Sequence, residues 1–238
     1  RHLLGVSYRN GRLNVYPLDQ EGIPGKAVTT IDEGKREAHC VLLPPDGKNI
    51  YVPYVKENLA LLQYAYDSKT GKVTPLETKN AKPPLGTGPR HMAYHPTLPM
   101  VYFSNEQGIG LSSYRREING ELKVAQDINI LPAGMSKIGL SASDLVITPD
   151  GEFLFAGLRG HSQDFNRISR YRILKDGLAE FIGLTEADRI PWGLTLSPDG
   201  RFLLVSATAG ASLTAYQISP DGDLKKITSL PWDPKMSD

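Results

Sequence analysis

The segment GPRHMAYHPTLPMVYFSNE, Gly88–Glu106, sets one arginine, two histidines and a glutamate around an apolar run. A guanidinium grips carboxylate or phosphate through its planar fork, and it can hold an oxyanion as charge develops there. A glutamate or a histidine can take a proton from water. Arg90 and Glu106 are therefore candidates for acid–base chemistry on an anionic substrate. The competing reading makes them a structural ion pair between neighbouring strands, since buried pairs are often architectural. His91 and His95 read first as packing or turn residues, His95 lying directly before Pro96.

The elements that must position these residues are visible as a repeat. LLPPDGKNIYVPYV, AYHPTLPMVYFSN, VITPDGEFLFAGL and TLSPDGRFLLVSA each read as strand, proline-containing turn, strand. Pro45, Pro96, Pro149 and Pro198 recur about every 50 residues, a period typical of stacked repeats. A third alternating strand follows in each unit, as in NLALLQYAY and SLTAYQI, and a polar turn leads to a fourth, as in INGELKVAQD. Proline presets φ and Asp-Gly supplies positive φ, so Pro-Asp-Gly closes a hairpin between the first two strands. Four short strands per period are the signature of a β-propeller blade. One such sheet cannot bury both faces alone, and stacking blades around an axis solves that. A β-sandwich is the alternative, but it has no reason to repeat one turn at this period.

The expected architecture is an all-β propeller of four-stranded antiparallel blades, forming a single domain over 1–238. Its units fall at 1–32, 33–82, 83–135, 136–187 and 188–238, with the first lacking a strand: about four and a half blades. The terminal PWDPKMSD reads as the lead-in to a further strand. If the chain is truly this short, its open blade faces predict self-association.

Composition excludes several function classes. The 27 basic residues nearly cancel the 26 acidic ones, which argues against nucleic acid or a membrane surface as the main partner. Cys40 is the only cysteine, so an intrachain disulfide and a cysteine-rich zinc site are ruled out. It reads as a small buried apolar residue. No histidine or carboxylate cluster has metal-ligand spacing, and no glycine-rich phosphate loop opens a helix, so neither metal nor cofactor is expected. No apolar run reaches the length of a membrane helix. The chain starts at Arg1 with no signal-like segment; a cytoplasmic location is expected, with a targeting signal upstream left open.

Four stretches, in this order and at these spacings, carry a resemblance: AHCVLLPPDGKNIYVP, GTGPRHMAYHP with VYFSNE, SASDLVITPDGEFLFAGLRGH and PWGLTLSPDGRFLLV. The chain resembles the lactonase family of seven-bladed β-propellers, which includes propeller-type 6-phosphogluconolactonases and 3-carboxy-cis,cis-muconate cyclase. The resemblance covers essentially the whole chain. It implies that nearly two blades at the front and a final strand at the end are absent from it. It also implies that His39, Arg90, Glu106 and Arg159 occupy the family's active-site positions, with Asp144, His161 and His91 in substrate-binding places. Two departures stand out. Trp192 follows Pro191 where many members carry arginine, implying a lost basic group, and Tyr54 follows Pro53 where many carry aspartate.

Comparing blades separates scaffold from site. Met92, Tyr94 and Pro96 belong to the common pattern, but Arg90 corresponds to Ala38, Ser143 or Trp192, and Glu106 to Tyr54, Arg159 or Thr208. Deviations from a repeat are where function sits, because the scaffold needs only the shared residues.

The resemblance implies hydrolysis of a small anionic sugar lactone, 6-phosphogluconolactone first among them. In that reading Arg90 and Arg159 act as clamp or oxyanion donors, and Glu106 or His39 as base. A lactone-forming cyclase would use the same groups. A non-catalytic propeller binding a protein on its rim, through exposed aromatics such as Tyr54 and Trp232, is the alternative from another class. An inactive relative marked by Trp192 is a third. The catalytic reading expects four side chains converging at one channel mouth. It also expects Arg90→Ala to abolish turnover while sparing stability; the ion-pair reading expects the reverse.

Overall fold

Alternating apolar residues separated by glycine and proline turns dictate short antiparallel strands, and the chain folds accordingly. A computed structural model describes residues 1–56 and 59–233. The expected strand lead-in at the C-terminus lies, from residue 234 onward, outside the described residues. Strands follow one another up and down in five sheets. The first holds β1 (His2–Val6), β2 (Leu13–Pro17) and β3 (Thr29–Ile31); the second holds β4 (Asn49–Tyr54), β5 (Ala60–Tyr66) and β6 (Val73–Asn80). Three four-stranded sheets come next: β7 (Pro89–Tyr94) to β10 (Leu122–Asn129), with β8 at Met100–Asn105 and β9 at Gly110–Arg116. Then β11 (Leu140–Ile147), β12 (Phe153–Gly160), β13 (Arg167–Ile173) and β14 (Ala179–Glu186) precede β15 (Pro191–Leu196), β16 (Phe202–Ala207), β17 (Ser212–Ile218) and β18 (Leu224–Pro231). The leading strands β7, β11 and β15 lie beside one another, as inner strands around an axis must.

The Pro-Asp-Gly turns behave as their residue types require. Gly47, Gly151 and Gly200 all have positive φ, and each donates its N–H back to the residue before the proline, at 2.8–2.9 Å. One expected strand is missing. The residues before Pro45 form no strand, and only the isolated bridge Ala38–Tyr54 joins them to β4. Pro44 is the physical reason. At the equivalent place His95, Thr148 and Ser197 donate an N–H to the first residue of the following strand, at 2.8–3.0 Å. Proline has no such donor.

Packing between sheets explains the burial. Every residue of β4, β8 and β12 is buried, because a sheet covers each side. In β16 burial alternates, with Leu203, Val205 and Ala207 buried and the intervening residues half-exposed. A tyrosine recurs at the fifth position of the third strand, as Tyr64, Tyr114, Tyr171 and Tyr216, and all four are buried. Between sheets, Tyr51 donates its hydroxyl to Gly120 O at 2.6 Å and Tyr102 donates to Gly177 O at 2.9 Å.

These hydroxyls generate a contrast. Tyr102→Phe removes a buried hydrogen bond between sheets and should lower unfolding free energy by about 1 kcal/mol. The Tyr114 hydroxyl is buried without a hydrogen-bond partner, so Tyr114→Phe should leave stability unchanged or raise it. Chemical denaturation of the two variants checks this, and the opposite ranking would contradict the packing described.

Candidate active site

The inner strands share a local irregularity that aims the site. β7 breaks register between Pro89 and Met92, β11 between Ala142 and Leu145, and β15 between Pro191 and Gly193. The residues inside these bulges are Arg90 and His91, Ser143 and Asp144, and Trp192. A bulge bends its strand and redirects a side chain away from strict alternation. Arg90 and Trp192 thus occupy positions that the ladder releases, whereas Arg159 pairs with Ser141 inside it.

Glu106 sits just beyond β8. Its N–H donates to Gly88 O at 2.8 Å and its carbonyl accepts from Ala142 N at 3.2 Å, so its backbone is tied to two sheets. Gly88 adopts positive φ, at 62°, where the chain turns into β7. The Glu106 carboxylate lies between two guanidiniums: Oε2 is 3.1 Å from Arg90 Nε, and Oε1 is 3.8 Å from Arg159 Nη2. Arg159 Nη2 also donates to Ala142 O at 2.9 Å. Arg90 is 1% exposed and Arg159 3%. Trp192 lies over both, with its ring centre 5.5 Å from Arg90 Cζ and 4.5 Å from Arg159 Cζ.

His39 completes the set. Its backbone N–H donates to Pro53 O at 3.0 Å, and its ring meets Tyr8 and His91 edge-to-face at 5.5 and 5.0 Å. His39, Arg90, Glu106 and Arg159 line one cavity of about 400 Å³, whose wall also includes Val6, Tyr8, Ala38 and Trp192. The four expected side chains therefore converge. Burial pushes the His39 imidazole down to about 3, helped by the nearby charge of Arg90, so it is neutral at physiological pH. Burial likewise lowers Arg159 to about 10, aided by Arg90 and opposed by Glu106, and it stays charged. Two guanidiniums against one carboxylate leave the cluster with a net positive charge. His39 Nδ1, Arg90 Nη1 and Arg159 Nε are buried without hydrogen-bond partners.

The other three expected residues stand apart from the cavity wall. His91 Nδ1 meets Asp144 Oδ1 at 2.7 Å, and Asp144 also accepts from Leu145 N and Leu194 N at 2.9 and 3.0 Å. Burial acts to raise the Asp144 carboxyl, but the His91 hydrogen bond and these backbone donors bring it below its usual range. This pair clamps β7, β11 and β15 together behind His39. His161 hydrogen-bonds Ser141 Oγ at 2.8 Å and lines a neighbouring cleft with Asp164 and Arg189. His95 is a turn residue, its Nδ1 accepting from Thr97 N and Leu98 N at 3.1 and 2.9 Å.

Comparison with known proteins bears on this geometry. Residues 1–233 match the family described as lactonase, 7-bladed β-propeller. The chain belongs to the lactonase family of seven-bladed β-propellers. A 6-phosphogluconolactonase of Photorhabdus laumondii is 30% identical over 97% of this chain and 68% of its own length. One from Klebsiella pneumoniae is 28% identical over 94% of this chain and 66% of its own. The chain thus spans about two thirds of the curated relatives it matches. The periplasmic gluconolactonase of Pseudomonas aeruginosa shares the fold, with a TM-score of 0.85 at 23% identity, covering 97% of this chain and 67% of that one.

Within this lactonase-family fold, three sequence expectations change. Tyr54 is not a rim aromatic: it is buried and donates its hydroxyl to Gly11 O at 2.9 Å. The residue matching Glu106 is Val55, whose N–H bonds back to Glu37 O as that of Glu106 does to Gly88 O. A one-residue offset puts a strand side chain on the other face. Trp192 does not simply remove a charge, since its indole covers the two arginines. Tyr8 was not singled out from sequence, yet it follows β1 as Glu106 follows β8. Its signal was the Asn10-Gly11 turn after it, matching the turn at Gly108-Ile109. Cys40 is partly buried, and burial raises its thiol to about 11. Among the described residues, no group of three His, Cys, Asp or Glu is placed to hold a metal, and no helix is long and apolar enough to cross a membrane.

The His39 environment sets a pH signature. A histidine lowered from 6.5 to about 3 by folding stays neutral in the native state while the unfolded chain takes up a proton. Its stabilisation is complete above the unfolded value and is lost as pH falls from 6.5 toward 3. Between pH 6.5 and 5 the loss reaches up to about 2 kcal/mol. His39→Gln should shrink the fall in unfolding free energy over that interval, measured by denaturant titration at each pH.

Proposed function

We propose that the chain hydrolyses a small anionic sugar lactone, 6-phosphogluconolactone, to the open-chain acid. The observation that carries this reading is the pair of buried guanidiniums, bridged by Glu106, lining one cavity with the neutral, half-buried imidazole of His39. The relatives named 6-phosphogluconolactonase support it. One propeller domain spanning 1–238 and a cytoplasmic location, where sugar phosphates are handled, belong to the same proposal.

Lactone hydrolysis places negative charge on the carbonyl oxygen. Donors already fixed around that oxygen stabilise it without reorganisation. The guanidiniums of Arg90 and Arg159, which line the cavity, suit that oxygen or the anionic group of the substrate. Both Glu106 oxygens face guanidiniums, so the carboxylate's role is to hold them apart and aligned. That leaves the His39 imidazole, on the same cavity wall, as the group to take a proton from water. Its basicity is weak in the empty site, because burial and the two arginines suppress its charged form. An anion bound to the arginines, and the oxyanion itself, would raise that basicity during reaction.

Water then bonds to the carbonyl carbon as its proton passes to His39, and the carbonyl electron pair moves onto oxygen. When the pair returns, the ring C–O bond breaks and the departing alkoxide recovers the proton from His39. Side chains supply each charge needed, so turnover insensitive to a chelator is expected.

The test is hydrolysis of 6-phosphogluconolactone beside glucono-1,5-lactone. Arg159→Ala should lower kcat/KM by about 10²–10³-fold while the protein stays folded, because Glu106 keeps its nearer partner. Arg90→Ala should cost activity and also up to about 3 kcal/mol of stability, since it leaves the largely buried Glu106 carboxylate with only the more distant Arg159. Burial of Arg90 adds this stability cost to the loss of turnover expected from sequence. Absence of hydrolysis by the parent protein would overturn the assignment.

A further inference from the structure

Trp192 stands out among the cavity's residues. It occupies the bulge of β15, where the first-strand positions of other blades carry Ala38, Arg90 and Ser143. Both guanidiniums contact its ring, at 4.5 and 5.5 Å, yet 45% of the residue remains exposed. A large aromatic left this open on a cavity wall has unspent apolar area. Val6 and Ala38 line the same cavity, so an apolar wall accompanies the charged one.

We propose that Trp192 is the specificity-determining residue of this site, a platform on which the C–H face of a pyranose ring stacks while the ring's anionic group meets the arginines. The inference rests on the lactonase reading for the identity of the reaction, but the stacking itself needs only a ring and an anion. A six-membered sugar lactone presents axial hydrogens on its faces and hydroxyls at its rim. Its face therefore suits an indole, and its rim suits Arg90, Arg159 and the Tyr8 hydroxyl. Cation–π attraction to the two guanidiniums, which share the cavity wall with the indole, fixes its orientation. An open-chain acid loses the flat face, so the platform favours the cyclic substrate over its hydrolysed product.

Trp192 and Trp232 are the only tryptophans, which permits a direct readout. In a Trp232→Phe background, glucose 6-phosphate, a ring with an anion but no lactone, should change Trp192 emission saturably. Inorganic phosphate at equal concentration should leave it nearly unchanged. Trp192→Ala should raise KM for 6-phosphogluconolactone about tenfold with kcat within twofold, and Trp192→Phe should raise KM only about twofold. An equal response to phosphate, or a fall in kcat with KM unchanged, would overturn the proposal, because the indole would then serve the arginines and not the ring. A saturable glucose 6-phosphate signal without lactone hydrolysis would support stacking and sink the reaction assignment. Hydrolysis with no emission change and an unaltered KM in Trp192→Ala would do the opposite.

Discussion

The site depends on a carboxylate held between two buried guanidiniums. Removing charges from water is costly, and in the interior they persist only where partners compensate them. Glu106 provides that compensation for Arg90 and Arg159 at once, and its backbone meanwhile bonds the sheets that carry them. Side-chain electrostatics and main-chain geometry are therefore locked to one residue. The arginines are preorganised because they have no lower-energy place to go. The cluster keeps an excess positive charge beside the cavity that Arg90, Glu106 and Arg159 line.

The scaffold supplies this geometry cheaply. The inner strands β7, β11 and β15 break register at the same place, so one backbone device repeated in three sheets presents a different residue from each. Serines continue the pattern: Ser104 donates to Ser143 O and Ser143 to Pro191 O, both at 2.7 Å. Such bonds satisfy the backbone groups that the bulges leave out of the ladder. Identity at the bulge can then vary without disturbing the stack of sheets.

Much of this was legible in the sequence, for specific reasons. The Pro-Asp-Gly turns announce hairpins because glycine φ and proline φ are local properties, and the recurring proline turn marks four of the five sheets. Arg90 and Glu106 stand out because a repeat exposes whatever departs from it, whereas His39 and Arg159 are marked by the resemblance to the lactonase family. Less legible was anything set by pairing across blades. His91 and Asp144 look like site residues in one dimension, yet they find each other at 2.7 Å behind His39. Tyr54 looks like an exposed aromatic because sequence does not show which sheet covers it. Tyr8 lies in the incomplete first unit, where the repeat is hardest to align, and its part in the wall emerged only from packing.

Pro44 has a kinetic consequence. The segment bearing His39 is fastened by one bridge and a few main-chain bonds, whereas the segments bearing Arg90 and Arg159 are full strands of four-stranded sheets. Opening free energy scales with the cooperative bonds that must break together. Amide exchange around His39 is therefore expected to be faster than around either arginine. The guanidinium side of the pocket therefore rests on fully paired strands and the histidine side on a loosely fastened segment.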